Sequence, residues 1–144
     1  MNQVLPRLWI SNIESARETD HDFDTIVTAC QDSISDSIDG DITYHQYNLA
    51  DGAQDTAGGR CDYEVFRRAA QAVRSAQQEE NNTLVHCHLG VSRSPSIVIA
   101  VVGVIKNSDY ETARQLVAAE RPEIDPKEEL VDFARRYIGE FSED

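Results

Sequence analysis

The sequence predicts an α/β domain of three layers, with helices on both faces of a mostly parallel central sheet of four to five strands. Two observations carry this. Short apolar runs of strand length alternate along the chain with longer stretches of helical period, the order that builds a parallel sheet covered on both faces. In the middle of the chain, Thr83-Leu84-Val85 runs through a short turn into the almost wholly apolar Ile97-Val98-Ile99-Ala100-Val101-Val102. That is a strand delivering the chain to a buried helix. At 144 residues, 1–144 forms one domain with enough chain for a real core.

Val4 to Ile10 reads as a first strand, and Asn12 to Arg17 as the opening of a short helix. Asp24 to Ala29 is apolar enough to be a strand buried on both faces. Gln31 to Asp41 repeats Ser and Asp and ends near Gly40, so it reads as a loop or frayed helix. Ile42 to Leu49 alternates in polarity as a strand does. Asp51 to Cys61 reads as a mobile loop by its glycines. Tyr63 to Glu80 sets Val65, Phe66, Ala69, Ala72, Val73 and Ala76 on one helical stripe, and Asn81-Asn82 ends it. Ser94 to Ile105 reads as the central helix, followed by amphipathic helices over Tyr110–Glu120 and Pro126–Ile138. Asp125 is the expected N-cap of the last, with Pro126 in its first position.

Twenty-six acidic residues face 13 basic ones, for a formal net charge of −13. Only Lys106 and Lys127 are lysines. An ordinary acidic cytosolic protein would fit. The balance also fits adaptation to molar salt, where screening removes the repulsion between surface carboxylates, and we favour that reading. No basic stripe is present to bind nucleic acid or anionic lipid. No apolar run approaches the length of a membrane span, and because Met1-Asn2-Gln3 leads straight into a strand no signal peptide is expected. Three cysteines, an odd number, fit a reducing cytoplasm, and a cytoplasmic monomer is expected.

The chain is organised around His86-Cys87-His88-Leu89-Gly90-Val91-Ser92-Arg93-Ser94. A strand-to-helix turn points backbone N–H groups into a concave loop, and a helix N-terminus behind it favours anions. Five residues separate Cys87 from Arg93, enough to wrap one tetrahedral oxyanion. The N–H groups from His88 through Leu89, Gly90, Val91 and Ser92 to Arg93 would contact its equatorial oxygens, and the Arg93 fork would grip two of them. Cys87 would sit beneath the phosphorus, where the helix end and Arg93 favour thiolate, a nucleophile at neutral pH. Gly90 permits a close backbone approach or a positive φ. Ser94 is placed to hydrogen-bond the sulfur, and His86 to orient the loop. The loop is no Walker motif, since it lacks Gly-x4-Gly-Lys-Ser/Thr. A metal site at His86, Cys87 and His88 is disfavoured, because neighbouring strand residues point to opposite faces and no Cys-x-x-Cys is present.

His86-Cys87-x-x-Gly90-x-x-Arg93-Ser94 resembles the signature of cysteine-dependent protein tyrosine phosphatases, and within them the small dual-specificity branch. The flanks agree: Leu5-Pro6-Arg7-Leu8-Trp9-Ile10-Ser11, Phe23 to Cys30, Tyr44 to Asp51 and Ala119 to Pro126 resemble that branch. The resemblance implies a protein tyrosine phosphatase-like fold and hydrolysis of phosphate monoesters through a cysteinyl-phosphate. It implies no cofactor and no metal. Asp51 falls where the branch places the acid that protonates the leaving oxygen, with Asp55 on the same loop as the alternative. The sequence departs from the branch at Ala100-Val101-Val102-Gly103, where Ala-Tyr-Leu-Met is usual, so packing under the loop is expected to differ. It departs again at Lys127, where Asn is usual.

The non-basic loop positions His88, Leu89, Val91 and Ser92 disfavour inositol lipids, and a shallow pocket open to phosphotyrosine and phosphoserine/threonine in proteins is expected. Two rival readings stand beside it: a phosphoprotein-binding pseudophosphatase, and a phosphatase of a small metabolite or an RNA 5′-phosphate. Cys30 ends its strand as Cys87 ends its own, so the two would form a redox pair only if those strands were neighbours. The favoured reading of Cys30 is a small buried apolar residue.

Overall fold

A computed structural model describes residues 1–18, 22–53 and 59–142. Five strands form one sheet: β1 (Asn2–Leu5), β2 (Leu8–Ser11), β3 (Thr25–Thr28), β4 (Thr43–Gln46) and β5 (Thr83–His86), in the spatial order β1-β2-β5-β3-β4. β1 pairs antiparallel with β2 and every other pairing is parallel. The helices are α1 (Ile13–Glu18), α2 (Tyr63–Gln78), α3 (Arg93–Ile105), α4 (Tyr110–Glu120) and α5 (Glu128–Phe141), with a single 3₁₀ turn at Ser35–Ser37. This is the expected three-layer α/β/α arrangement. Among the described residues no helix is long and apolar enough to cross a membrane.

Strand alternation divides the core. Val27 and Val85 face the larger layer, where α2, α3, α4 and α5 pack. Ile26 and Leu84 face the smaller one, closed by Ile13 and Ala16 of α1, Phe23 and Ile34. β3 and β5 are buried along their whole length, as interior parallel strands are. α2 buries Phe66, Ala69, Ala70, Val73 and Ala76 on one stripe. A fully buried phenylalanine such as Phe66 contributes roughly 2–3 kcal/mol by area removed from water. The Asp62 side chain caps α2 by accepting from the Glu64 N–H at 2.8 Å, and Asp109 caps α4 by accepting from the Thr112 N–H at 2.8 Å.

α3 is buried from Arg93 to Gly103, with α2, α4 and α5 around it and the sheet beneath. Gly103 has a packing reason. A Cβ there would stand 2.5 Å from Cδ1 of Ile138, so the glycine admits that α5 side chain against α3. The departure at Gly103 thus acts where α3 meets α5, ten positions after Arg93.

Three expectations need correction. Val4 to Ile10 is two strands, not one, because the chain turns at Pro6-Arg7 and β1 folds back on β2. The Ile42–Leu49 strand stops at Gln46, and Leu49 instead makes an isolated parallel bridge with Arg60. The last helix begins at Glu128, with Lys127 in the capping position and no side-chain cap. Asp125 does not cap it, since its backbone N–H is drawn away to the Val91 carbonyl at 2.7 Å.

Candidate active site

The loop that follows β5 lies at the carboxyl edge of the sheet, where parallel α/β folds place their ligands. Cys87 is 2 % exposed at its floor, while Leu89 on the rim is 66 % exposed. The Gly90 N–H donates to the Cys87 sulfur at 3.2 Å, and the Ser94 hydroxyl lies 3.2 Å from the same atom. Both groups are placed to donate to the sulfur. Ser94 is in the first turn of α3, so the helix N-terminus backs the sulfur as well.

Gly90 is where the loop demands glycine. Its φ is +71°, and a Cβ would stand 2.8 Å from the Ser11 carbonyl oxygen and 2.5 Å from Nη2 of Arg121. Ser92 turns its hydroxyl away from the loop interior to accept the Lys127 N–H at 2.9 Å. What Ser92 has left for an anion is therefore backbone. His88 is exposed, with Nδ1 3.7 Å from the Asp32 carboxylate.

His86 is fully buried and orients the loop through both ring nitrogens. Nδ1 lies 3.1 Å from the Cys87 carbonyl, which can only accept, so Nδ1 carries the proton. Nε2 then accepts from the Thr28 hydroxyl at 2.6 Å. Thr28 in turn accepts from the Tyr44 hydroxyl at 2.6 Å, and Tyr44 accepts the Ile34 N–H at 3.0 Å. Every donor in this relay has one direction to point. Burial holds the His86 imidazole down to about 4, so the ring is neutral and the relay is stable at physiological pH.

Arg93 is 8 % exposed. Its Nη1 donates to the Leu49 carbonyl at 3.2 Å and reaches Oε1 of Gln31 at 3.4 Å. The first contact ties the guanidinium to the segment that carries Asp51, two residues on. Asp51 is half-buried. The loop beyond it is braced by Glu129, whose Oε2 accepts the Ala53 N–H at 3.4 Å. Asp55 lies outside the described residues. The structure thus brings Cys87, Arg93, Ser94, His86 and the Asp51 segment to one place.

Thr28, Gln31, Tyr44 and Arg121 belong to the site and were not singled out from the sequence. Arg121 is the largest omission. It is 5 % exposed, and it donates from Nε to the Gly90 carbonyl at 2.7 Å, from Nη2 to the Leu89 carbonyl at 3.3 Å and from Nη1 to Oδ1 of Asn2 at 2.6 Å. One buried guanidinium thus holds the crest of the loop and the first strand together. Replacing it by leucine leaves three acceptors unpaired. We expect Arg121→Leu to lose about 2–4 kcal/mol of stability, the scale of charged hydrogen bonds broken in a buried setting. A lower denaturant midpoint together with a raised KM would show both consequences.

Cys30 is buried, and β3 is the direct neighbour of β5, with the Ala29 N–H donating to the His86 carbonyl at 2.8 Å. The adjacency that a Cys30–Cys87 pair requires is present. Burial pushes the Cys30 thiol up, and its sulfur lies 3.7 Å from the Asp32 carbonyl. Cys30, Cys61 and Cys87 are all free thiols.

A buried, hydrogen-bonded cysteine under an arginine-closed loop at a strand-to-helix turn defines a cysteine-dependent phosphatase. The model of the dual specificity phosphatase catalytic domain matches residues 10–137, and the chain belongs to that family. The chain is 26 % identical to human dual specificity protein phosphatase 22 over 148 aligned positions, covering 98 % of this chain and 77 % of the relative. It is also 26 % identical to mouse dual specificity protein phosphatase 15, covering 92 % of this chain but 57 % of that protein. Among solved structures, the human tyrosine phosphatase-like serine/threonine/tyrosine-interacting protein superposes with a TM-score of 0.79 at 22 % identity, covering 98 % of this chain and 97 % of that one. At that identity the last comparison speaks for the fold.

Proposed function

We propose that the chain hydrolyses phosphotyrosine and phosphoserine/threonine in proteins through a cysteinyl-phosphate on Cys87. The carrying observation is the Cys87 sulfur held by the Gly90 N–H and the Ser94 hydroxyl, with Arg93 closing the loop above the same helix end. The thiolate attacks phosphorus in line, a P–S bond forms and the ester P–O bond breaks. Asp51 gives its proton to the departing oxygen. The loop N–H groups and the Arg93 fork take up the equatorial charge of the transition state. In the second step Asp51 takes a proton from water, the water oxygen bonds phosphorus, and the P–S bond breaks with Ser94 donating to the returning thiolate.

The acid tests the scheme. Asp51→Asn should lower the rate on a phosphopeptide by about 10²–10⁴-fold, the usual range for a lost general acid. An activated aryl phosphate, which needs little protonation, should be much less affected. The basic limb of the pH–rate profile should flatten for the poor leaving group. Should Asp55→Asn show this pattern and Asp51→Asn not, the two aspartates exchange roles.

We also assign the acidic surface to a high-salt setting. At molar salt the Debye length is about 3 Å, so repulsion among the surface carboxylates is largely removed. The melting temperature should climb steadily from low salt to molar KCl. A flat response would leave an ordinary acidic surface.

A further inference from the structure

We propose that the groove at the far end of α3 from the phosphate loop docks an acidic peptide segment bearing apolar side chains, contributed by a partner protein. The groove is a cavity of about 570 Å³, and it forms where the β1–β2 turn meets the ends of α2, α3 and α5. The phosphate loop sits at the first turn of α3, while the groove is lined from its last, at Val104, Ile105 and Lys106. A 13-residue helix is about 20 Å long, so the two sites do not overlap.

Its lining runs against the character of the chain. Acidic residues outnumber basic ones two to one, 26 to 13, yet among the described residues no aspartate or glutamate lines this groove and Arg7, Arg74 and Lys106 do. One of only two lysines is spent here. Among the described residues, none of the ion pairs engages any of the three cations. The cationic side chains elsewhere are mostly paired in this way, for example Arg67 and Arg68 with Glu64. The Arg74 guanidinium lies over the Phe141 ring, 5.3 Å from its centroid, which presents a flat cation beside an aromatic wall.

The floor is apolar. Leu5, Val104 and Phe141 are partly buried there, and Ile105 is 42 % exposed. Ile105 is one of three large apolar side chains among the described residues exposed to this degree, with Met1 and the loop-rim Leu89. A cavity of this volume is in the range of sites that accept a ligand's apolar anchor. The three cations come from three different elements, the β1–β2 turn, α2 and the end of α3. A segment with several carboxylates can meet charges arranged this way; one compact anion cannot meet them all. Charge complementarity therefore selects an acidic strand or loop with leucine-like anchors. In that arrangement the apolar contacts would supply affinity, and the cations would supply orientation and partner choice.

The test uses the whole chain and a fluorescein-labelled octapeptide of alternating glutamate and leucine, followed by anisotropy at the lowest salt that keeps the protein folded. Binding with a Kd of about 10–100 μM is expected. The peptide with lysine in place of glutamate should bind at least ~10-fold more weakly, as should the Arg7→Glu/Lys106→Glu protein towards the glutamate peptide. That variant should retain hydrolysis of para-nitrophenyl phosphate, which reports the fold and the distant site. Amide resonances of residues 104–107 and 77–78 in the parent should shift on titration. No binding of the glutamate peptide, undiminished binding to the double variant, equal affinity for the lysine peptide, or shifts confined to residues 86–94 would each overturn the proposal. The last outcome would mean that the peptide reads the phosphate loop.

Discussion

Cys87→Ser should lower turnover of para-nitrophenyl phosphate by ~10⁴-fold or more while leaving the domain folded and able to bind inorganic phosphate. The expectation has two halves with different causes. A serine hydroxyl is not ionised at neutral pH, and in this step Asp51 holds its own proton for the departing oxygen, so the attacking group is lost. Removal of a nucleophile in other hydrolases acts on at least this scale. The oxygen nevertheless fits the place of the sulfur, within reach of the Gly90 N–H and the Ser94 hydroxyl that now hold Cys87. Circular dichroism and a phosphate titration followed by melting temperature would check the second half. Appreciable hydrolysis by the serine protein would overthrow the covalent scheme.

Arg93→Lys should cost about 10²–10³-fold in kcat, or roughly 3–4 kcal/mol of transition-state stabilisation, with a smaller change in KM. Lysine keeps the charge but not the planar fork, so it cannot hold two equatorial oxygens at once. It also lacks a second nitrogen for the Leu49 carbonyl, which Arg93 engages at 3.2 Å. The segment leading to Asp51 should therefore be less firmly placed in the lysine protein. That predicts a further fall when the substrate has a poor leaving group, because such substrates depend on the acid. Stopped-flow comparison of an aryl phosphate with a phosphopeptide would separate the two losses. Equal activity of the lysine and arginine proteins on both substrates would remove Arg93 from the mechanism.

What the sequence made legible was local. The stripe of Phe66, Ala69, Val73 and Ala76 is a helix whatever surrounds it, and α2 follows it closely. The spacing from Cys87 to Arg93 is likewise a property of consecutive residues. Long-range contacts were not legible. Arg121 stands 31 positions after Gly90, and nothing about an arginine at a helix end says that it reaches back to a loop carbonyl. The relay from His86 through Thr28 to Tyr44 joins three strands, and each member alone is an ordinary strand residue. The hairpin at Pro6-Arg7 was hidden because two short strands and a tight turn together look like one apolar run. Asp125 and Pro126 carry the local marks of a helix start, but the contact with Val91 holds the chain extended for two residues more. In each case tertiary demand overrode local preference.

The one-way relay beneath the loop has a consequence for how sequences of this kind can change. Starting from the backbone N–H of Ile34, the side chains of Tyr44, Thr28 and His86 pass a single direction of donation from one to the next, so none of the three can be exchanged without stranding its neighbour. Thr28→Val leaves both the imidazole nitrogen and the phenol without their partner, and Tyr44→Phe leaves the Ile34 N–H and the Thr28 oxygen short. Such losses are not additive, because the second change removes a partner that the first has already abandoned. The three side chains therefore act as a unit, and a change at one is expected to need compensation at the others. Apolar replacement of all three together is expected to cost less stability than replacement of one, because it leaves no buried partner stranded.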